Sequence, residues 1–305
     1  MKISILIPTY NQEKFIKQAI ESALQQTYPN LEVVVCDDCS TDGTWEVVQS
    51  INDPRLRTYR NSKNLGRVGN YRRLLYELAN GDYVLNLDGD DYLLYDNYIQ
   101  EATGLIKKFG TVLVFANQYM GYGNKFKQTN MKLPAIVDGN WLFMNFLKNG
   151  IHIPHLTALY HRQSAIKADF YQKDIVSSDW HSFLRLIVGK KVGFVPKPVG
   201  VWRQLDDSES KKGDVGVFIE NIEALLEICN DKNVKKEIPI QQCRQWQKQL
   251  IYNLLRSIPV CVVAQNLNKL CTYAYKKLGI VSFLKLIFSR FSVKGLIGKF
   301  RCVES

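Results

Sequence analysis

The chain has 305 residues, 46% of them hydrophobic and 23% charged, with 40 Lys and Arg against 29 Asp and Glu and a formal net charge of +11. That composition supplies ample core and excludes a disordered chain or a small disulfide-stapled scaffold. No stretch reaches the ~18–20 continuous apolar residues of a membrane-spanning helix, and the apolar run in MKISILIPTYN is too short before Pro8 to read as a signal peptide.

From the N-terminus, strand and helix signals alternate. Residues 3–7 predict a strand closed by Pro8, and 13–25 a helix with Phe15, Ala19, Ile20 and Leu24 on one face. Residues 31–36 predict a second strand. A helix running through Val48 follows, with Thr41 or Asp42 as its N-cap. Short strands are expected at 57–59, 83–87 and 111–115, and helices at 68–79 and 96–109. This order predicts an α/β fold with a mostly parallel sheet covered by helices on both faces. Residues 121–132 read as a polar loop. Helices are expected at 141–147 and 177–188, and two short apolar runs at 192–195 and 199–202. From 215 onward the pattern is helical only, over 217–229, 241–257, 262–277 and 280–294. The boundary falls in the polar stretch 206–214, which gives one domain over 1–207, with halves at about 1–115 and 116–207, and a helical region over 208–305.

The seven cysteines are scattered and odd in number, which suits a reducing compartment and a cytoplasmic location. Cys36 and Cys39 form a C-x-x-C, but no second pair completes a zinc site.

In LNLDGDDYLL, Asp88, Asp90 and Asp91 crowd the end of an apolar strand. Asp37 and Asp38 sit likewise at the end of another. In parallel sheets ligands bind beyond the carboxyl ends of strands. A calcium loop counted from Asp88 fails, because its sixth and twelfth positions are Leu93 and Ile99 rather than Gly and Glu. Capping of the next helix explains one aspartate of the three. A Mg²⁺ or Mn²⁺ site shared with substrate phosphates explains more. Neither a P-loop nor a G-x-G-x-x-G fingerprint is present.

ISILIPTYN, TYPNLEVVVCDDCSTDGT and NLGRVGNYRRLLYELANGDYVLNLDGDD together resemble glycosyltransferase family 2. The resemblance spans about residues 3–98 and continues more weakly through SSDWHSFLRLIVGKKVGFVPKPVGVWR. It implies the GT-A fold, a Rossmann-like nucleotide-binding domain, and transfer of a sugar from a nucleotide-diphosphate donor with inversion. It also implies roles by position. Pro8, Thr9, Tyr10 and Asn11 would lie on the base and ribose, Asp38 on the base, and Arg67 near the nucleotide. Asp88-Gly89-Asp90 matches the D-x-D motif, with Asp88 shared between ribose and metal and Asp90 on Mn²⁺ or Mg²⁺. Asp91 would reach the sugar or orient Asp90. Asp179 would be the base on the acceptor hydroxyl, with Asp174 as the alternative; an N-cap role competes for the same carboxylate. Trp202-Arg203-Gln204-Leu205 departs from many relatives, which carry a histidine where Leu205 stands. A catalytically inactive nucleotide-sugar-binding or scaffold protein is the alternative reading. His152, His155 and His161 are spaced for no single helix face, which disfavours a metal site; they read as surface or acceptor-loop residues, with an active-site role for His155 as the alternative. Tyr92, Tyr95 and Tyr98 read as packing.

The charge excess is local. Between positions 238 and 303 there are eleven Lys or Arg and no Asp or Glu, while the remaining 29 basic residues balance the 29 acids. In 280–291, Leu284, Ile287, Phe288 and Phe291 share a helix face flanked by cations. Such a helix suits an anionic membrane surface, which fits a lipid-linked or glycan acceptor and a peripheral position at the inner face of the cell membrane. Helices packed on the core are the alternative. Nucleic acid is disfavoured, since no nucleic-acid motif accompanies the charge.

Overall fold

The computed structural model describes residues 1–205, 215–257 and 266–278. Its core is a curled sheet in the order β3 (Leu56–Arg60), β2 (Leu31–Asp37), β1 (Ile3–Thr9), β4 (Tyr83–Asn86), β9 (Leu159–His161), β6 (Leu113–Tyr122), β10 (Lys191–Arg203), β5 (Tyr92–Leu93), with β7 (Lys125–Gln128) paired to β6 and β8 (Ile136–Asp138) to β10. The first four of these strands, β1, β2, β3 and β4, are all parallel. Every residue of β1 and β2 is buried, which is why both read as largely apolar runs rather than alternating ones; the polar interruptions Ser4 and Glu32 bond to each other at 2.6 Å. Pro8 does not close β1 as expected. It lies in register with Cys36, and its carbonyl accepts from the Gly89 amide at 3.1 Å; a proline lacks only the donor, which the end of a strand can spare.

Alternate residues of these strands feed two cores, one on each face. Ile3, Ile5, Ile7, Val33 and Val35 pack with α1 (Ile16–Leu24) and α4 (Tyr98–Phe109). Leu6, Val34 and Val84 pack with α3 (Arg67–Arg73), α5 (Gly139–Asn145) and α7 (Ser178–Ile187). The helix expected through Val48 is α2 (Thr44–Gln49), α6 (Arg162–Lys167) precedes α7, and the helix expected at 68–79 turns π-helical over Leu74–Leu78.

Beyond β4 the pattern was less legible. The three-residue β9 (Leu159–His161) runs antiparallel between β4 and β6 (Leu113–Tyr122), too short to show a period. The expected polar loop at 121–132 is a hairpin instead: β6 continues to Tyr122 and pairs back with β7 (Lys125–Gln128). The two runs at 192–202 form one strand, β10 (Lys191–Arg203). Its register against β6 shifts on both sides of Pro198, where two prolines interrupt the ladder and force bulges. Strands β5 (Tyr92–Leu93) and β8 (Ile136–Asp138) pair with β10.

The helices α8 (Val215–Leu226), α9 (Lys232–Glu237) and α10 (Ile240–Ser257) and the helix Leu267–Leu278 extend the second core. Trp246 stacks on Phe143 with ring centroids 4.4 Å apart. Asn221 accepts from the Ser177 amide at 2.8 Å, and Arg185 pairs with Asp231 at 3.0 Å. Among the described residues no helix is long and apolar enough to cross a membrane. The predicted boundary at 206–214 and the amphipathic helix at 280–294 lie outside the described residues.

Candidate active site

The carboxyl ends of β1, β2 and β4 open on one edge, and the loops that leave them are stapled together. Asn11, at a positive φ of 51°, donates its amide to Ser40 Oγ at 2.9 Å and accepts from the Thr41 amide at 2.8 Å. Asn tolerates this left-handed conformation better than most residues. Pro8 and Thr9 are buried, whereas Tyr10 projects with 44% of its surface exposed. The two aspartates after β2 divide. Asp37 is buried against Arg60 at 3.0 Å and Ser40. Asp38 Oδ1 accepts from the Leu65 amide at 2.8 Å and from Asn61, which fixes the loop leading to α3.

The D-x-D segment lies against the β1 loop. A Cβ on Gly89 would run into Gln12 Oε1 and stand 2.9 Å from Thr9 Oγ1, so any larger residue requires both side chains to shift. Asp88 Oδ1 accepts from Tyr71 Oη at 2.8 Å, and Oδ2 lies 4.0 Å from His155 Nδ1. Burial raises the Asp88 carboxyl, against the hydrogen bond from Tyr71 and the charge of Arg67. Asp90 is pushed up to about 6, by burial first and by Asp88 second. Neither Asp90 nor Asp91 caps the next helix, whose N-cap is Asn97.

Asp91, expected beside the sugar or Asp90, is buried with Oδ1 accepting from the Arg203 amide at 2.9 Å. Burial and the neighbouring Asp90 and Asp88 raise it well above the usual range. Arg203 also donates to the Asp90 carbonyl, and its guanidinium lies over the Tyr92 ring at 4.4 Å. The end of β10 thus grips the D-x-D turn from behind.

The opposite wall comes from α3 and the start of α7. Arg67, first residue of α3, donates to the carbonyls of Ile175 and Val176 at 2.9 and 3.2 Å. Burial works to lower its guanidinium, but Tyr71, Asp88 and Asp179 outweigh it and hold it above its ordinary value. Arg67 therefore binds the loop before α7 while facing both carboxylates. Asp179 sits in the first turn of α7, where the helix dipole favours an anion. The N-cap is Ser177, which makes no side-chain capping bond. Burial raises Asp179, opposed by His155, Arg67 and the Trp180 amide. Asp174 is solvent-exposed. Beside Asp179, the buried Ser178 Oγ has no hydrogen-bond partner.

One site residue escaped the sequence reading, and a second, His155, stood there only as the lesser alternative. Tyr71 is buried and holds Asp88; its place four residues after Arg67, one helical turn away, was the available signal. His155 is not a surface residue: its side chain is 15% exposed, and Nε2 lies 2.9 Å from Tyr171 Oη. Burial lowers His155 to about 4, with Asp179 pulling the other way, so the imidazole is neutral at pH 7. Tyr171 and Tyr160 in turn donate to Asn86 Oδ1 at 3.2 and 2.7 Å. Nothing local in IHIPHLTALYHR foretells this network.

Among the described residues no three His, Cys, Asp or Glu side chains converge as a preformed metal cage. Asp88 and Asp90 nonetheless fit Mn²⁺ or Mg²⁺ by their chemistry. They are hard oxygen donors, such ions use one or two carboxylates plus substrate phosphates, and a cation would relieve the repulsion that raises Asp90.

A mostly parallel α/β sheet with its acidic clusters on the carboxyl edge, flanked by a helical C-terminal region, is the GT-A fold. The chain belongs to glycosyltransferase family 2: the family model described as "Glycosyl transferase family 2" matches residues 4–173. Among curated proteins it is 42% identical over 90 residues to the Escherichia coli UDP-Glc:alpha-D-GlcNAc-diphosphoundecaprenol beta-1,3-glucosyltransferase WfaP, covering 30% of this chain and 36% of that protein. It is 44% identical over 93 residues to the Escherichia coli chondroitin synthase, covering 30% of this chain and 13% of the other. The chain thus spans well under half the length of these relatives. Among solved structures, S. aureus TarS 1-349 in complex with UDP-GlcNAc aligns with a TM-score of 0.62 at 20% identity, covering 95% of this chain and 92% of that one. The Pyrobaculum calidifontis mannosyltransferase PcManGT in complex with GDP-Man and Mn²⁺ aligns with a TM-score of 0.55 at 16% identity, covering 98% and 88%. At these identities the structural likeness speaks for the fold.

Proposed function

We propose that this chain is an inverting glycosyltransferase that moves a sugar from a nucleotide-diphosphate donor to a hydroxyl of a glycan or lipid-linked acceptor in polysaccharide biosynthesis. The observation that carries the reading is the convergence of Asp88 and Asp179 on Arg67 and His155 at the carboxyl edge of the sheet. Donor recognition falls to the loops after β1 and β2, with Pro8, Thr9, Tyr10, Asn11 and Asp38 against base and ribose. Asp88 and Gly89 face the ribose and diphosphate, with Arg67 close by. Asp91 acts by tying the D-x-D turn to Arg203. Mn²⁺ or Mg²⁺, held by Asp90 and Asp88, would supply positive charge to the departing diphosphate.

Transfer in one displacement forms the bond from acceptor oxygen to anomeric carbon as the bond from that carbon to the diphosphate oxygen breaks. The diphosphate leaves with the electron pair, and Asp179 takes the hydroxyl proton. A raised carboxyl pKa makes Asp179 a better base than a solvated aspartate. Arg67 and neutral His155 hold its surroundings fixed.

The catalytic unit in this reading is 1–207. The basic region 208–305 brings it to an anionic membrane surface at the cytoplasmic face, a role supported by the eleven cations and absent acids over 238–303. The test is a thermal-shift screen of UDP, GDP and their sugars with Mn²⁺ or with EDTA, followed by turnover assays on the stabilising donor. At a ligand concentration of 100 Kd a true donor stabilises by about 2.7 kcal/mol. Asp179→Asn is expected to keep that stabilisation and lose about 10²–10⁴-fold in kcat. Full turnover by that variant overturns the base assignment; donor binding by the wild type without turnover on any acceptor supports the inactive-binding alternative instead.

A further inference from the structure

The hairpin of β6 and β7 stands out from the body of the fold. Every residue of β7 is exposed, and Tyr122 and Phe126 leave 47% and 55% of their surface in solvent. Strand direction says where this surface lies. Strand β6 is antiparallel to β9, and β9 to β4, so the hairpin leaves the sheet at the same edge as Asp88. Gly121 pairs with Phe126 on one side and with Arg203 on the other, and Arg203 donates to the Asp90 carbonyl. The hairpin therefore forms part of the rim of the candidate active site.

Its chemistry is amphipathic and cationic. Lys125 and Lys127 lie in β7 and Lys132 follows it, while no Asp or Glu occurs from position 102 to 137. The turn between the strands is tight, with Gly123 at φ 56°, so the tip is preorganised and little entropy is lost on docking. Tyr122 shares one face of the ribbon with Lys125 and Lys127. Phe126 and Tyr119 share the other, with ring centroids 6.4 Å apart. A two-ring stacking platform for a sugar needs flat rings side by side, whereas Tyr119 and Phe126 meet edge to face at 80° and Tyr122 lies on the opposite face. A tip with rings on both faces and cations around them instead suits the headgroup boundary of a bilayer, where aromatic residues settle and lysines meet anionic lipid.

We propose that the β6–β7 hairpin docks on an anionic lipid bilayer, its aromatic tip in the interface and its lysines against the headgroups. Docking through this rim turns the mouth of the site toward the membrane. It is a second anchor, separate in sequence from the basic C-terminal region, and weak single signals acting together are what hold a peripheral protein.

The full chain is tested by co-sedimentation with mixed phosphatidylcholine–phosphatidylglycerol vesicles and with phosphatidylcholine alone. Lys125→Gln with Lys127→Gln is expected to weaken binding to the anionic vesicles about 30-fold, from the contribution of two interfacial lysines. Tyr122→Ser with Phe126→Ser is expected to weaken it as well, with the far-ultraviolet circular dichroism unchanged. Hydrogen exchange gives an independent readout: amides of 119–128 are expected to slow when anionic vesicles are added to the wild type. Undiminished binding by both double variants, or no protection of 119–128, overturns the proposal. So does loss of turnover on a water-soluble acceptor with vesicle binding intact, which would assign the surface to a glycan. Vesicle binding is read without turnover, so its failure is distinct from failure of the transfer reaction.

Discussion

Replacing Asp90 by Asn is expected to stabilise the metal-free protein at neutral pH while removing its response to Mn²⁺. In the folded chain, burial and the charge of Asp88 lift the Asp90 carboxyl from an ordinary 3.8 to about 6. The folded state then binds the proton more tightly than the unfolded state does. Below pH 3.8 both states are protonated and no penalty exists. Between about 3.8 and 6 stability falls as pH rises, and above about 6 the full penalty is present. Its size follows from the displacement of the pKa, about 3 kcal/mol at pH 8. Asn carries no charge to desolvate, so the variant escapes the penalty, less about 1 kcal/mol for a weaker hydrogen bond with Gln12. The assay is urea unfolding in EDTA at pH 4 and pH 8. The variant is expected to gain about 2 kcal/mol over wild type at pH 8 and close to nothing at pH 4. Equal stability at pH 8, or the same gain at both values, refutes the claim that Asp90 is held ionised at a cost in the empty site.

Two further substitutions probe the frame around that site. Gly89→Ala drives a methyl into Gln12 and Thr9; a loss of about 1–3 kcal/mol is expected, together with weaker nucleotide binding by calorimetry. Trp246→Ala removes a buried ring stacked on Phe143, for which about 3–5 kcal/mol is expected. If the C-terminal helices and the sheet share one core in solution, the whole melt moves as one transition; a shift confined to one of two transitions would mean that they unfold separately.

The amino-acid sequence alone determined the first half of the fold. Parallel strands buried on both faces are largely apolar runs, so 3–7, 31–36 and 83–87 announced themselves, and acids near their ends marked the ligand edge. Adjacent aspartates looked alike in sequence, however. The family resemblance assigned them different roles, and the tertiary structure supplied the contacts behind the difference: Asp37 pairs with Arg60, Asp38 accepts from the Leu65 amide, Asp91 turns onto the Arg203 amide and Asp88 accepts from the Tyr71 hydroxyl. The tertiary structure alone brought His155, on the single 3₁₀ turn His155–Thr157, against Asp88, and Arg67 against the loop before α7, 108 residues further along the chain. It also joined 192–202 into one strand across two prolines, because β6 supplied a ladder that the local pattern lacks. Periodicity records what a segment buries on its own account. Which charge meets which is decided by contacts between distant segments, and these leave no local trace.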